Sequence, residues 1–510
     1  MQSRKEIFNK PFYLFLLTIY PSLSLLALNI REVDPSVVAR PLLVSLFLAF
    51  IFLLLNQLFT KNRRHAYIQT AFLLVLFFNY GHLIIFIREI ERVKQIGNWI
   101  HIPILTASLF VYLLVRWKRE LLHDQTIAIN IISLILVIFP LVQISQYTLS
   151  TQFNATPISI DSRINLQTNT LPDIYYIIPD QYIRADTLLQ IGYDNSQFLD
   201  SLREIGFFVA DCSISNYRRT ALSLASSLNM DYLFNAIPNK GPKDDNAQAV
   251  YNALINNRVT NELKQLGYKT IAFQSGYRWG EWRDADIFFK PDNNLLLVKY
   301  LTPFENLFLE STILKIAKDL KWLPFLSNTY MKFGEHYKRV HFVLDTLPEV
   351  ADLPGPKFVY AHIIIPHNPY VFLPDGSFNQ EANTLSWTDT EGYIKNLRFL
   401  NSALAPIVSQ IIQKSESPPI IIIQADHGTA FFKNDRYYIL NAYYLPGKNI
   451  EDIPSTISPV NTFRLIFNQY FGTDFPYRED VGFHNDIGHP FKEKLFQFTE
   501  DYSQCPSPSP

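Results

Sequence analysis

The sequence predicts a five-span α-helical membrane domain followed by an α/β domain, with a central, mostly parallel sheet flanked by helices. Three observations predict it. Five apolar runs precede residue 150, a polar stretch follows them, and beyond it apolar strands ending in acids or histidines alternate with segments of helical spacing. With 510 residues, 48% of them hydrophobic, the chain is also too long for one ordinary domain.

The apolar runs lie at 12–28, 41–59, 67–87, 99–115 and 127–147. At about 1.5 Å rise per residue each is long enough to span a bilayer core. Arg4, Lys5 and Lys10 precede the first run as they would precede a signal peptide, but no small-residue cleavage site follows and four more runs come next. Lys and Arg in the short loops orient the spans. Nine fall on the amino-terminal side (Arg4, Lys5, Lys10, Lys61, Arg63, Arg64, Arg116, Lys118, Arg119) and five opposite (Arg31, Arg40, Arg88, Arg92, Lys94). The amino terminus is therefore expected in the cytoplasm and everything after Tyr147 outside. His82 and His101 sit in or near apolar runs and are read as helix-interface packing rather than function.

Residues 1–148 thus form the membrane domain, and 149–170 ("STQFNATPISIDSRINLQTNT" from Ser150) a linker rich in Ser, Thr, Asn and Gln. Residues 171–500 form the α/β domain and 501–510 a flexible tail. Within the α/β domain "DIYYIIPD" (173–180), "KTIAFQSG" (269–276), "KFVYAHIIIPH" (357–367) and "PPIIIIQADHG" (from Pro418) read as strands, with "RYYILNAYYLP" (436–446) a fifth. "NSQFLDSLREIGF" has helical spacing; Asn293 to Val350 reads as helical without an evident purpose. The net charge of −1 lacks the basic surplus of nucleic-acid binders. Two cysteines, Cys212 and Cys505, cannot build a disulfide framework or a cysteine zinc site, and both are expected as free thiols.

Three strands end in potential metal ligands: Asp180, the pair His362 and His367, and Asp426 with His427. The carboxyl ends of parallel strands share one edge, where α/β sheets bind ligands. Zinc and manganese accept both carboxylate and imidazole. Thr220 opens a helix-forming run, "TALSLASSLNM", where unpaired N–H groups favour an anion. A metal on its hydroxyl would make it a nucleophile; the competing role is a plain helix cap. Ser223, Ser226 and Ser227 lie deeper in the helix. Arg218 and Arg219 precede Thr220 and either hold a phosphate or face solvent.

The ordered set "IIPDQY", "TALSLASS", "HIIIPHNP" and "QADHG" resembles the membrane-bound branch of the alkaline phosphatase/sulfatase superfamily, which includes phosphoethanolamine transferases and lipoteichoic acid synthases. The resemblance spans essentially the whole chain. It implies a divalent metal, zinc or manganese, held by Asp180, Thr220, Asp426 and His427, with Thr220 the nucleophile. It implies that His362 and His367 bind substrate or protonate the leaving alcohol, and that the protein moves a phosphoethanolamine- or phosphoglycerol-type headgroup. The donor would be a membrane phospholipid, the acceptor a lipid or glycan, and the setting a bacterial inner membrane with the catalytic domain extracytoplasmic. The alternatives are a phosphodiesterase or sulfatase-like hydrolase and an inactive surface-glycan partner. The chain departs from the pattern at three points. It has no Cys-x-Pro-x-Arg or Ser-x-Pro-x-Arg sulfatase motif, and it carries Asp180 where the transferases carry Glu. No histidine follows "DHG" by a dozen residues, which puts a second zinc site in doubt; His484 and His489 are the later histidines.

Overall fold

The computed structural model describes residues 10–60, 62–89, 97–117, 125–153, 171–237, 240–241, 244–245, 247–292, 300–324, 328–382, 388–431 and 436–496. Arg4, Lys5, Lys61, Arg92, Lys94, Lys118, Arg119, Cys505, the linker from 154 and the tail lie outside them. The chain divides into two compact units, Met1–Phe153 with Asn293–Glu335, and Asn154–Asp292 with His336–Pro510.

In the first unit each apolar run becomes a helix: α1 (Tyr13–Asn29), α2 (Ala39–Phe59), α3 (Arg63–Arg88), α4 (His101–Trp117) and α5 (Thr126–Phe153). Counted with the turns Pro35–Val38 and Gly97–Ile100 that lead into α2 and α4, the last four are long and apolar enough to cross a membrane, while α1 is a shorter apolar helix of 17 residues. Large apolar side chains such as Phe47, Phe50 and Phe139 point outwards. Small and polar ones are inside, where they satisfy each other: Asn130 Oδ1 accepts from Tyr13 N at 2.8 Å and Asn56 donates to Thr70 Oγ1 at 3.2 Å. That inversion of the soluble pattern suits a lipid solvent, in which inward polar groups must pair.

Residues 300–320 return to this unit, which gives the unexplained helical stretch a place. Thr302 and Glu305 cap the helix Pro303–Ser311 reciprocally. Glu305 also pairs with Arg40, whose Nη2 reaches Tyr300 O at 3.1 Å. Phe308 packs with Leu74, Phe77 and Phe78 of α3. From the following helix, Leu314–Asp319, Asp319 meets Arg88 at 3.1 Å, Lys315 at 3.0 Å and His101 Nε2 at 3.3 Å. Tyr80 OH lies 3.0 Å from His101 Nδ1, so His101 is buried between α3 and Asp319, whereas His82 is exposed and does not pack at a helix interface as expected.

Gly81 lets the returning backbone approach α3: a Cβ there would stand 1.8 Å from Glu310 O. Backbone cannot swing aside as a side-chain tip can. Gly81→Ala is therefore expected to cost about 1–3 kcal/mol, the usual range for overpacking. A lowered melting temperature in detergent would register it; an unchanged one would mean that the close approach is not required.

The second unit is built on a seven-stranded sheet of order β2-β7-β6-β1-β5-β3-β4. The strands are β1 (Ile174–Pro179), β2 (Phe208–Val209), β3 (Lys269–Phe273), β4 (Ile287–Phe289), β5 (Lys357–Ile363), β6 (Ile420–Gln424) and β7 (Asn441–Tyr444). The run β6-β1-β5-β3-β4 is parallel; β7 pairs antiparallel with β6, and β2 antiparallel with β7. A separate hairpin joins β8 (Gly482–Asp486) and β9 (His489–Phe496). Ile420 to Ile423 are fully buried, each worth about 1.5–3 kcal/mol over exposure. Three helices matter for the site: α6 (Thr220–Asn229), α7 (Thr329–Thr346, in this unit from His336) and α8 (Thr390–Lys414). Cys212 is disulfide-bonded, which corrects its expectation as a free thiol; the reading of Cys505 falls outside the described residues.

Candidate active site

The parallel register brings the strand-end residues together. Tyr176 to Ile178 of β1 lie beside Tyr360 to His362 of β5, and Ile177 lies beside Ile423 of β6. Asp180 continues β1 by one bond, its N–H donating to Ile363 O at 2.9 Å. Asp180, His362 and Asp426 then each offer one ligand atom, all within 4.8 Å of one another and all buried. His362 Nε2 is 3.2 Å from Asp180 Oδ2, so His362, expected as a substrate residue, stands among the candidate metal ligands.

His427 adjoins this group. Its Nδ1 is 2.7 Å from Gly428 O, a carbonyl that can only accept, so Nδ1 carries the proton and Nε2 the lone pair. That lone pair faces Thr220 Oγ1 at 3.2 Å and Asp426 Oδ2 at 3.3 Å. His367 has the same arrangement, with Nδ1 2.5 Å from Asn368 O, and its backbone N–H donates to Asp180 O at 3.2 Å.

The residues present fit a divalent cation. Asp180 Oδ1 and Asp426 Oδ2 are buried without a hydrogen-bond partner. Two orphaned carboxylate oxygens beside an imidazole lone pair repel one another unless a cation lies among them. Burial pushes the Asp180 carboxyl up, but the electrostatic pull of the neighbouring imidazoles, His367 first, and the His362 hydrogen bond outweigh it, so the net shift is downwards. It is ionised at neutral pH, as a ligand must be.

Thr220 is the first residue of α6; Arg219 precedes it and no side chain caps the helix. The Thr220 hydroxyl is thus turned to His427 rather than used as a cap. Ser226 and Ser227 are engaged, with Asp231 O and with Tyr176 and Gln424, whereas Ser223 Oγ is buried without a partner. Arg219 is exposed and Arg218 reaches Asn485 O at 3.4 Å. His489 is exposed and pairs with Asp245 at 2.5 Å, and His484 is exposed on β8; among the described residues neither joins the candidate metal group.

Two residues escaped the sequence reading. Gln181 is buried with φ of 62°, a left-handed conformation that non-glycine residues seldom adopt. The turn aims its N–H at Asp426 Oδ1 (3.0 Å), and Tyr393 of α8 holds its carbonyl at 2.9 Å. Strain at such a point is characteristic of functional sites. The second is His336 of α7, buried, with Nε2 unpartnered. Burial, with Arg339 and His367 nearby, pushes its ring well below the usual histidine range against the pull of Asp180, so it is a neutral imidazole.

No family model matches this sequence, and no curated protein does. Solved structures do resemble the fold. The periplasmic domain of EcEptC from Escherichia coli in complex with Zn matches at 14% identity and a TM-score of 0.42, over 68% of this chain and 96% of that one. The integral membrane lipooligosaccharide phosphoethanolamine transferase A from Neisseria meningitidis matches at 12% and 0.37, over 72% and 68%. The putative sulfatase yidJ from Bacteroides fragilis matches at 15% and 0.37, over 60% and 76%.

Proposed function

We propose that the protein is a membrane-anchored, metal-dependent enzyme that transfers or hydrolyses a phosphoethanolamine- or phosphoglycerol-type headgroup at the outer membrane face. The observation that carries this reading is the Thr220 hydroxyl 3.2 Å from His427 Nε2, beside the two orphaned carboxylate oxygens. Asp180, Asp426, His427 and Thr220 would hold the ion, with His362 within reach of the same carboxylates. Zinc or manganese suits this set of oxygen and nitrogen donors. When bound, the ion lowers the pKa of the hydroxyl and offsets charge developing at phosphorus.

The chain's own residues do the rest. Thr220 Oγ attacks phosphorus and becomes esterified; its fixed place at the start of α6 supplies the orientation. The unpaired N–H groups of that helix end face the phosphoryl oxygens. His362 and His367 bind the substrate or the leaving alcohol. A lipid donor suits a membrane-anchored chain, and a lipid or glycan hydroxyl, or water, resolves the intermediate. The disulfide at Cys212 favours an oxidising compartment for this unit, as the Lys and Arg bias does.

Purified protein given headgroup-labelled phospholipid vesicles should pass label to an added acceptor or to water. No loss of label from phospholipid, with metal supplied, would remove the enzymatic reading in favour of an inactive partner. A phosphatase reporter fused after Thr170 should be active; silence there would reverse the orientation.

A further inference from the structure

The turn that follows β1 joins the two carboxylates of the site. Asp180 enters it, and the next N–H, that of Gln181, holds Asp426 Oδ1 at 3.0 Å, which leaves Oδ2 as the oxygen of Asp426 without a hydrogen bond. Neighbouring backbone holds much of the turn. Asp180 N–H donates to Ile363 O at 2.9 Å, His367 N–H to Asp180 O at 3.2 Å, and Leu440 N–H to Tyr182 O at 3.0 Å. Two further backbone groups, Gln181 O and Ile183 N–H, meet a single side-chain atom, the hydroxyl of Tyr393.

Tyr393 is fully buried on α8, its ring edge-on to Phe431 at 5.2 Å and to Tyr370 at 6.3 Å. The hydroxyl donates to Gln181 O at 2.9 Å and accepts from Ile183 N–H at 3.1 Å, using both of its capacities on the turn. Between these contacts Gln181 keeps its φ of 62°, which a side-chain-bearing residue holds only where its surroundings fix it. Asp426 fixes the N–H end of Gln181 and Tyr393 the carbonyl end. Without the hydroxyl, Gln181 O and Ile183 N–H would be left buried and unpaired, and the turn would gain a reason to relax.

We infer that Tyr393 is a positioning residue for the metal: through the carbonyl and N–H of Gln181 its hydroxyl fixes the rotamer of Asp426, so that Oδ2 faces the ion beside Asp180. This rests on the reading of these carboxylates as a metal site. Partners of this kind, one bond removed from a ligand, set affinity by orienting the ligand before the ion arrives. Tyr182 supplies the comparison. It is the next residue of the turn and as fully buried, and its hydroxyl also reaches α8, at Asn401 Oδ1 (2.7 Å), with Asn195 as its other partner. That hydroxyl holds neither Gln181 nor Asp426.

The test titrates zinc and manganese separately into the full-length protein, stripped of metal by a chelator, with a thermal melt of each metal-free variant. Tyr393→Phe should bind the ion about 10–100-fold more weakly than wild type, and excess metal should restore its headgroup release. Tyr182→Phe also loses a buried hydroxyl but should bind within about threefold of wild type. Gln181→Gly keeps the N–H and adopts the left-handed angle freely, so it too should bind within about threefold. Unchanged affinity in Tyr393→Phe, or an equal loss in Tyr182→Phe, would overturn the role of Tyr393 while leaving the metal site intact. A large loss in Gln181→Gly would assign the effect to the Gln181 side chain, whose Oε1 is buried without a partner, and overturn the backbone route. Wild-type protein that binds neither ion would overturn the metal reading, and this inference with it. If Tyr393→Phe fails to fold, the same contrast between Tyr393→Phe and Tyr182→Phe in a Gln181→Gly background decides.

Discussion

Thr220→Ala is expected to lower activity by roughly 10³-fold or more while the protein folds as before. A nucleophile that forms a covalent intermediate has no substitute, so its removal costs the whole route rather than a fraction of it. The fold should tolerate the change because the hydroxyl does not cap α6; its neighbour is His427 Nε2 at 3.2 Å. Thr220→Ser keeps a hydroxyl at the same helix end and should retain part of the turnover. The measurement is headgroup release at saturating substrate, beside a thermal melt of each variant. Near-normal release by the Ala variant would point to another oxygen, and Ser223, buried without a partner one turn along the helix, is the first to examine.

Asp426→Ala is expected to strip the metal. Its Oδ2 is one of two buried carboxylate oxygens without a hydrogen bond, and its Oδ1 holds the strained Gln181 turn at 3.0 Å. Removing one of about four ligands takes away much of the binding free energy, and here also the anchor of a second ligand's loop. Wild-type protein should hold about one equivalent of zinc or manganese by elemental analysis, and Asp426→Ala close to none. His362→Ala divides the two descriptions of the coordination set. A large loss of metal makes His362 a ligand beside Asp180 and Asp426; metal retained with weakened turnover leaves it to the substrate.

Much of this was legible in the sequence, for physical reasons that differ from element to element. β1, β5 and β6 were readable because central strands buried on both faces must be continuously apolar, and Ile420 to Ile423 leave no other interpretation. β2 and β4, of two and three residues, are too short to carry a pattern. The antiparallel direction of β7 is set by pairing with Gln424 and Ile423, which no local signal encodes. The membrane helices were legible from length and hydropathy alone. The return of residues 300–320 to them was not, since Arg40 and Glu305 meet across 265 residues of sequence. Only its start carried a local mark: "TPFE", a threonine, a proline and a glutamate at capping positions.

The site divides in the same way. Asp180, His362, Asp426 and His427 announced themselves because a charged or imidazole residue at the end of an apolar strand is conspicuous. Thr220 could be placed at a helix start, but whether its hydroxyl capped that helix or faced a histidine depended on how α6 meets β6. Gln181 looked like an ordinary polar residue after Asp180, and only its backbone angle singles it out. His336 lay in a helical stretch with no local mark, and only its burial with an unpartnered Nε2 singles it out.

If Thr220 becomes esterified to phosphorus at a metal-holding sheet edge, the ester can be trapped. Peptide mass spectrometry after acid quenching during turnover of phospholipid tests it most directly. The peptide containing Thr220 should carry a phosphate-linked headgroup adduct, localised to Thr220 by fragmentation and absent from Thr220→Ala. Sustained wild-type turnover with no adduct on that peptide, or an adduct on Ser223 instead, would contradict it.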